Sequence, residues 1–197
     1  LELLGVDVRL DTPVTPDTLA DGAYEHVVLA TGVTPRKTRI PGEDHPMVLS
    51  YVDVLAGGAT VGERVAIIGA GGIGFDVAEF LAHDPSEEVD LEAWLAHWGV
   101  DGRHASPGAL VKPAPPAPAR TLHLCQRRPG KLGRGLGKTT GWIHRAQLKH
   151  AQVEMLSSCA YHRIDDQGLH LSVDGQKRVL EVDNVIICAG QEPDRRL

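Results

Sequence analysis

The chain alternates short apolar runs with stretches of helical spacing, and Gly and Pro mark the breaks between them. Leu1 to Gly5 reads as a helix end, and Val6-Asp-Val-Arg-Leu10 alternates with the period of a short strand. Tyr24 to Ala30 becomes wholly apolar before Thr31-Gly32, the pattern of a strand buried on both faces of a parallel sheet. Pro35, Pro41-Gly42 and Pro46 predict an extended crossover. Ser50 is placed to cap a short helix over Tyr51–Leu55, which Gly57-Gly58 ends. Arg64–Ile68 is the next buried strand and runs directly into Gly69-Ala70-Gly71-Gly72-Ile73-Gly74. Phe75 to His83 then carries helical apolar spacing at Val77, Ala78, Phe80 and Leu81.

Pro85 to Arg120 breaks this rhythm. A helix over Val89 to Trp98 is followed by Pro113, Pro115, Pro116 and Pro118, which together predict a surface insertion with a stiff, extended end. Thr121–Cys125 resumes the sheet, and Thr140 to Ala151 predicts a helix. Val153–Leu156, Ala160–Ile164, Leu169–Val173 and Arg178–Val182, joined by Asp/Gly turns at 165–168 and 174–175, read as an antiparallel meander. Asn184 to Ala189 is one more buried strand, closed by Gly190. The strands alternating with helices, plus the meander, predict an α/β fold of Rossmann type.

Composition narrows the picture. Of 197 residues, 42% are hydrophobic and 23% charged, which fits a globular domain whose core, with only 4% aromatics, rests on Val, Ile, Leu and Ala. A net charge of −6 argues against tracking nucleic acid or an anionic membrane, so any bound anion needs a local site. No apolar stretch approaches the roughly 20 residues that span a bilayer. The chain opens without Met or a signal peptide, so the expectation is a segment of a longer, cytoplasmic protein. Cys125, Cys159 and Cys188 form no CxxC group, and the ten histidines form no HExxH, so metal ligation by local spacing is not expected. No tyrosine has a lysine four residues on and no CxxxxC pair is present, so acid–base or dithiol machinery is not evident.

The chemistry concentrates in one place. Gly69, Gly71 and Gly74 stand in a GxGxxG spacing between a buried strand and a helix, the context in which that motif binds a dinucleotide. The first glycine permits the tight turn, the second lets backbone approach a pyrophosphate, and the third lets helix and strand pack closely. Coenzyme choice is read at the end of the second strand. Counting about 20 residues forward reaches Asp90 and Glu92, but no strand ends there. The strand that does end nearby is followed by Gln126-Arg127-Arg128 and then Lys131, and guanidinium pairs of this kind clamp a 2′-phosphate. NADP(H) is therefore expected over NAD(H); the alternative is that the basic run is a solvated turn. Gly133 to Thr140 resembles a P-loop but fails on spacing, since Leu132 stands where the first glycine is required. It is expected to be a flexible loop capped by Thr139 or Thr140, with Lys131, Arg134 and Lys138 adding charge. Ala30-Thr31-Gly32 and Ala189-Gly190 both close apolar strands on either side of this unit, as in a chain that leaves one dinucleotide domain, builds another and returns.

These stretches together resemble the C-terminal half of the bacterial 2,4-dienoyl-CoA reductase family. The resemblance rests on Val28 to Arg36, His45 to Leu55, Val65 to Phe75, Gly135 to Arg145 and Val182 to Pro193, and it covers nearly the whole chain. It implies a glutathione-reductase-like, two-dinucleotide-domain flavoprotein. Residues 1–55 would be a remnant of the FAD domain with its crossover, 56–183 the NADP(H) domain with an insertion at 84–120, and 184–197 a strand returning to the FAD domain. It further implies NADPH and FAD as cofactors of this region. FMN, in a barrel, and a 4Fe–4S cluster would lie in a missing N-terminal part, and that barrel together with the missing FAD half would be the partner of this segment. Gly69 to Gly74 would hold the pyrophosphate and Arg127 and Arg128 the 2′-phosphate. Ala30, Thr31, Gly32, Gly190 and Gln191 would line the junction of nicotinamide and FAD. Two alternatives stay open: a related amine dehydrogenase or enoate reductase, and a non-catalytic scaffold that holds ADP.

Overall fold

A computed structural model describes residues 1–83 and 90–196. The chain divides into two units, Pro35–Gly190 and a smaller one made of Leu1–Thr34 with the residues from Gln191 onward. The smaller unit holds a 3-10 turn at Glu2–Leu4, helix α1 (Pro16–Asp21) and strand β1 (Val33–Pro35). Thr15 caps α1 through a reciprocal capping box with Thr18.

The larger unit is built in three layers. Its centre is a five-stranded parallel sheet in the order β2-β9-β3-β4-β5, from β2 (Val48–Ser50), β3 (Arg64–Ile68), β4 (Thr121–Cys125), β5 (Glu154–Leu156) and β9 (Asn184–Ile187). Helices α2 (Tyr51–Leu55), α3 (Gly72–Ala82) and α5 (Gly141–His150) cover one face, and a meander of β6 (Cys159–Asp165), β7 (Gly168–Val173) and β8 (Gln176–Leu180) covers the other. The period of two within β3 drives both interfaces. Val65 and Ile67 pack toward Phe75, Val77, Leu81 and Leu148, whereas Ala66 and Ile68 pack toward Ile164, Leu169 and Leu171. Each of these residues is almost fully buried. That is why β3 reads as an unbroken apolar run. The remaining elements are α4 (Leu91–Trp98), in the insertion, and β10 (Gln191–Pro193), which pairs with β1 in a two-stranded sheet.

Several expectations are corrected. Val6–Leu10 and Tyr24–Ala30 are not strands: no strand pairs with them among the described residues, and Val28 is 88% exposed. An apolar run becomes a buried strand only where a neighbour takes its backbone hydrogen bonds. Strand β2 falls in what reads as crossover, because three residues at a sheet edge carry no legible period. Strand β5 belongs to the parallel sheet and not to the meander. The helix α5 before it decides this, since strand, helix and strand make a crossover unit that returns parallel. Strand β9 lies between β2 and β3 in the central sheet, where its apolar Val185-Ile-Ile187 is covered on both sides. Phe80 is 52% exposed although its helical spacing suggested core. Helix α4 begins at Leu91, with the Asp90 carboxylate accepting from Ala93 N; Val89 and the proposed start of the insertion at 84–85 lie outside the described residues.

Candidate functional site: the glycine turn at the C-terminal edge of the sheet

The turn after β3 is wedged between two strand ends. Gly69 N–H donates to Cys125 O at 2.8 Å, and Cys188 N–H donates to Ile68 O at 2.7 Å. Gly69 has φ +113°, and a Cβ there would stand 2.5 Å from Cys188 O, so both conformation and space exclude a side chain. A Cβ on Gly74 would collide with Gly69 O, which is how the first turn of α3 is allowed to press against the strand. Gly71 and Gly72 are different: nothing lies within 4 Å of where their Cβ atoms would be. Ala70 and Ile73 turn inward onto the helix-side core. The sequence motif therefore separates into glycines that the protein's own packing requires and glycines that face open space.

Helix α3 begins at this opening. Gly71 is its N-cap and offers no side-chain hydrogen bond, and the first turn of α3 holds no acidic residue, so the first N–H groups and the positive end of the helix dipole are left without a cap from the helix itself. A helix start of this kind can take a phosphate.

The neighbouring strand carries the basic turn. Register sets Ile68 beside Cys125, so Gln126 to Lys131 leave the sheet one strand away from the glycine turn. Gln126 holds this loop in shape. Its side-chain amide donates to Arg128 O at 2.9 Å and Gly130 O at 3.0 Å, and its backbone bonds Leu156 O and Cys159 N. Arg127 and Arg128 are exposed, and among the described residues no carboxylate pairs with either. Lys131 is exposed as well and lines a groove with Trp142, Arg145 and Lys149.

The loop that resembles a P-loop lies against α3. Leu132 is buried, and a Cβ on Gly133 would stand 2.8 Å from the Phe75 ring, so this segment touches the first turn of α3 and carries Arg134 past it. Arg145 donates to Gly133 O at 3.2 Å. Thr140 occupies the N-cap of α5, but its hydroxyl caps nothing, contrary to expectation. The tie between α3 and α5 is instead His144 Nδ1 to Glu79 at 2.7 Å, which no sequence spacing announces.

The other expected site residues are divided between the units. Gly190, in the larger unit, has φ +107°; its carbonyl accepts from Arg36 N at 3.1 Å, and the Arg36 guanidinium stands 3.3 Å from where a Cβ would be. Arg36 is a contact that sequence reading missed. Ala30, Thr31, Gly32 and Gln191 belong to the smaller unit. There Thr31 Oγ1 donates to Asp194 O at 2.6 Å, and Asp194 N donates to Gly32 O at 3.0 Å, beside a cavity of about 730 Å³ lined by Leu29 to Val33 and Pro193 to Arg195. Hydrogen bonds from Arg196 hold the Asp194 carboxyl down at about 2.

Comparison with known proteins agrees with this geometry. A metal reductase of Desulforamulus reducens is 27% identical over 198 residues, covering 98% of this chain and 29% of the relative. A cinnamate reductase of Clostridium sporogenes is 23% identical over 199 residues, covering 100% of this chain and 24% of the relative. The chain thus spans under a third of the length of these relatives. Among solved structures, a 2-naphthoyl-CoA reductase in complex with 2-naphthoyl-CoA shares the fold with a TM-score of 0.68, at 21% identity, over 100% of this chain and 24% of the other. Among the described residues no helix is long and apolar enough to cross a membrane. The family model for pyridine nucleotide-disulphide oxidoreductases matches residues 6–197. The chain belongs to that family of flavin- and NAD(P)-dependent oxidoreductases.

Proposed function

We propose that the chain docks NADPH and presents it for hydride transfer to FAD within a larger reductase, and that the reductase acts on a 2,4-dienoyl-CoA or a close relative. The observation that carries the coenzyme reading is the position of Arg127 and Arg128. They follow the strand whose last carbonyl, that of Cys125, accepts from the first glycine of the turn. A dinucleotide with its pyrophosphate over Gly71 and Gly72 would direct its adenosine ribose toward that strand end. The fit is supported by the open space at those two glycines, by the start of α3 without a side-chain cap and by two exposed guanidiniums that pair with no carboxylate among the described residues.

When bound, NADPH supplies the hydride. The chain's own residues bind and orient: helix N–H groups take the pyrophosphate, Arg127 and Arg128 take the 2′-phosphate, and Gln126 fixes the loop from which they project. The acyl-CoA reading draws on the resemblance of Gly135 to Arg145 and Val182 to Pro193. It is consistent with the cinnamate and 2-naphthoyl-CoA named for the two reductases above, both conjugated carboxylic derivatives. Under this reading FMN and a 4Fe–4S cluster belong to parts of the protein outside this chain.

Calorimetry with NADPH, NADH and ADP tests the coenzyme reading. Two charge-assisted contacts contribute about 1.5–3 kcal/mol each, so NADPH should bind at least about a hundredfold tighter than NADH. Arg127→Ala/Arg128→Ala should erase the difference. Equal affinity for NADPH and NADH in the unaltered chain, or a preference that survives the double substitution, refutes it.

A further inference from the structure

The stretch from Gly135 to Arg145 ends in two side chains that the coenzyme site does not use. Trp142 stands near the start of α5 with 59% of its surface exposed, so an indole face is open to solvent. Arg145, one turn on, lies over Gly141: a Cβ there would stand 3.3 Å from its guanidinium, and the same guanidinium donates to Gly133 O at 3.2 Å. These two contacts fix the head of Arg145 while other N–H groups of its fork stay available. Lys149 follows one more turn along the same face, because residues three and four apart on a helix are neighbours. With Lys131 these side chains line a groove of about 560 Å³, floored by Ala146, Val153 and Met155. That volume lies within the roughly 300–1,000 Å³ of small-molecule sites.

The charge of the groove opposes that of the chain. The whole carries −6, yet three cations and no carboxylate line this surface. Among the described residues none of the three forms an ion pair. Glu154 lies between Val153 and Met155 in sequence, but strand alternation turns it to the opposite face of the sheet, where Arg178 and His123 hold it. The groove is also separate from the glycine turn. That turn sits at the carboxyl ends of the strands, whereas the groove runs from Lys131 along α5 to Gln152 and Val153, at the amino end of β5.

We propose that this groove is a second nucleotide site, for a base whose sugar carries phosphates at two separate positions. The base stacks on Trp142, as bases do on exposed aromatic rings. Arg145 and Lys149, with Cβ atoms about 5–6 Å apart, take one phosphate each, and Lys131 adds charge at the upper end. Ala146 is too small to stand in the way, and Val153 and Met155 offer the sugar an apolar floor. A single phosphate engages only one of the two cations on α5, so the bisphosphate is the preferred form. This site shares no residue with the proposed coenzyme contacts and does not depend on them.

Calorimetry with adenosine 3′,5′-bisphosphate tests the proposal in two arms: the whole chain saturated with NADP⁺, and Arg127→Ala/Arg128→Ala without NADP⁺. The expected result is one site per chain in both arms. Trp142→Ala should weaken it about five- to 150-fold and Lys149→Ala at least about threefold. Both side chains are exposed, so neither substitution threatens the fold. Adenosine 5′-monophosphate should bind at least about threefold more weakly than the bisphosphate. Binding absent from either arm, displaced by NADP⁺, or indifferent to both substitutions overturns the proposal. A failure of the coenzyme reading shows separately, as NADP⁺ that does not bind, and leaves both arms of this test intact.

Discussion

Gly71→Ala should separate the coenzyme site from the stability of the fold. Gly71 has φ −85° and ψ −171°, a conformation any residue adopts, and nothing lies within 4 Å of the added methyl. The folded state therefore loses no packing, and stability should change by less than about 0.5 kcal/mol, or rise by about 0.4–1 kcal/mol through the stiffer unfolded chain. The methyl would stand where a pyrophosphate approaches the helix start. Overpacking of this size costs about 1–3 kcal/mol, so NADPH affinity should fall roughly five- to 150-fold. Gly69→Ala is the contrasting case. Its φ of +113° costs about 1–3 kcal/mol, and the methyl meets Cys188 O at 2.5 Å, a backbone carbonyl at the end of β9 that has no freedom to retreat. With a further overpacking cost of about 1–3 kcal/mol the Tm should fall by roughly 5–20 °C. Thermal melts and calorimetry on the two variants supply the measurement. Gly71→Ala with unchanged stability and NADPH affinity within about twofold of the parent would show that no pyrophosphate lies over this turn.

Three other outcomes follow from the same structure. Leu148, fully buried between α5 and the sheet, should cost about 2–5 kcal/mol when replaced by Ala, read as a lower urea midpoint at unchanged m-value; a loss under about 1 kcal/mol would mean α5 is not held through this side chain. Glu154 on β5 takes a bidentate pair from Arg178 at 2.6 and 2.9 Å and a bond from His123 at 2.6 Å, and these hold its carboxyl below the ordinary value, Arg178 first. A lowered carboxylate contributes stability that is present above its unfolded value and lost as pH falls through the folded one, so the Tm should drop on the acid side of about pH 4.5 and the drop should shrink in Glu154→Gln; an identical acid limb in the variant contradicts this. Burial pushes the Cys188 thiol up to about 12, so iodoacetamide at pH 8 should leave it unmodified in the native chain, and rapid labelling by peptide mass analysis would count against its burial.

How much of this was legible in the residues depends on whether a feature is local. Strand β3 and the glycines after it could be read because their requirements are set by near neighbours in sequence: a run buried on both faces, then a turn, then a helix. Ser50 as a cap for α2 was legible for the same reason, since its Oγ accepts from Val52 N two residues on. The Asp/Gly turns of the meander announced themselves likewise. Strand β5 was misread because its apolar content is the same in either sheet, and only the helix before it fixes the direction. Tyr24 to Ala30 has the composition of a buried strand, but composition does not supply a partner. At the site, Gly133 against Phe75, Arg36 beside Gly190 and His144 on Glu79 each join residues at least 58 positions apart. Nothing in their local sequence marks such pairs. Only the glycines at positions 133 and 190, with φ +71° and +107°, carry a trace of it.

The position of the site follows from the order of the strands. From β3 the chain passes through α3 to β4 and on to β5 on one side, while β9 and β2 lie on the other. Strand order thus reverses at β3, and in a parallel sheet the crevice outside the carboxyl ends at such a reversal is where ligands bind. Both sides of the reversal meet at Gly69, through Cys125 O from β4 and the Cys188 carbonyl from β9. Packing alone therefore demands glycine at 69 and 74 in this chain, whether or not it binds a nucleotide. The glycines at 71 and 72 are different: a side chain would fit at either position, so packing does not account for them, whereas the proposed approach of a pyrophosphate would.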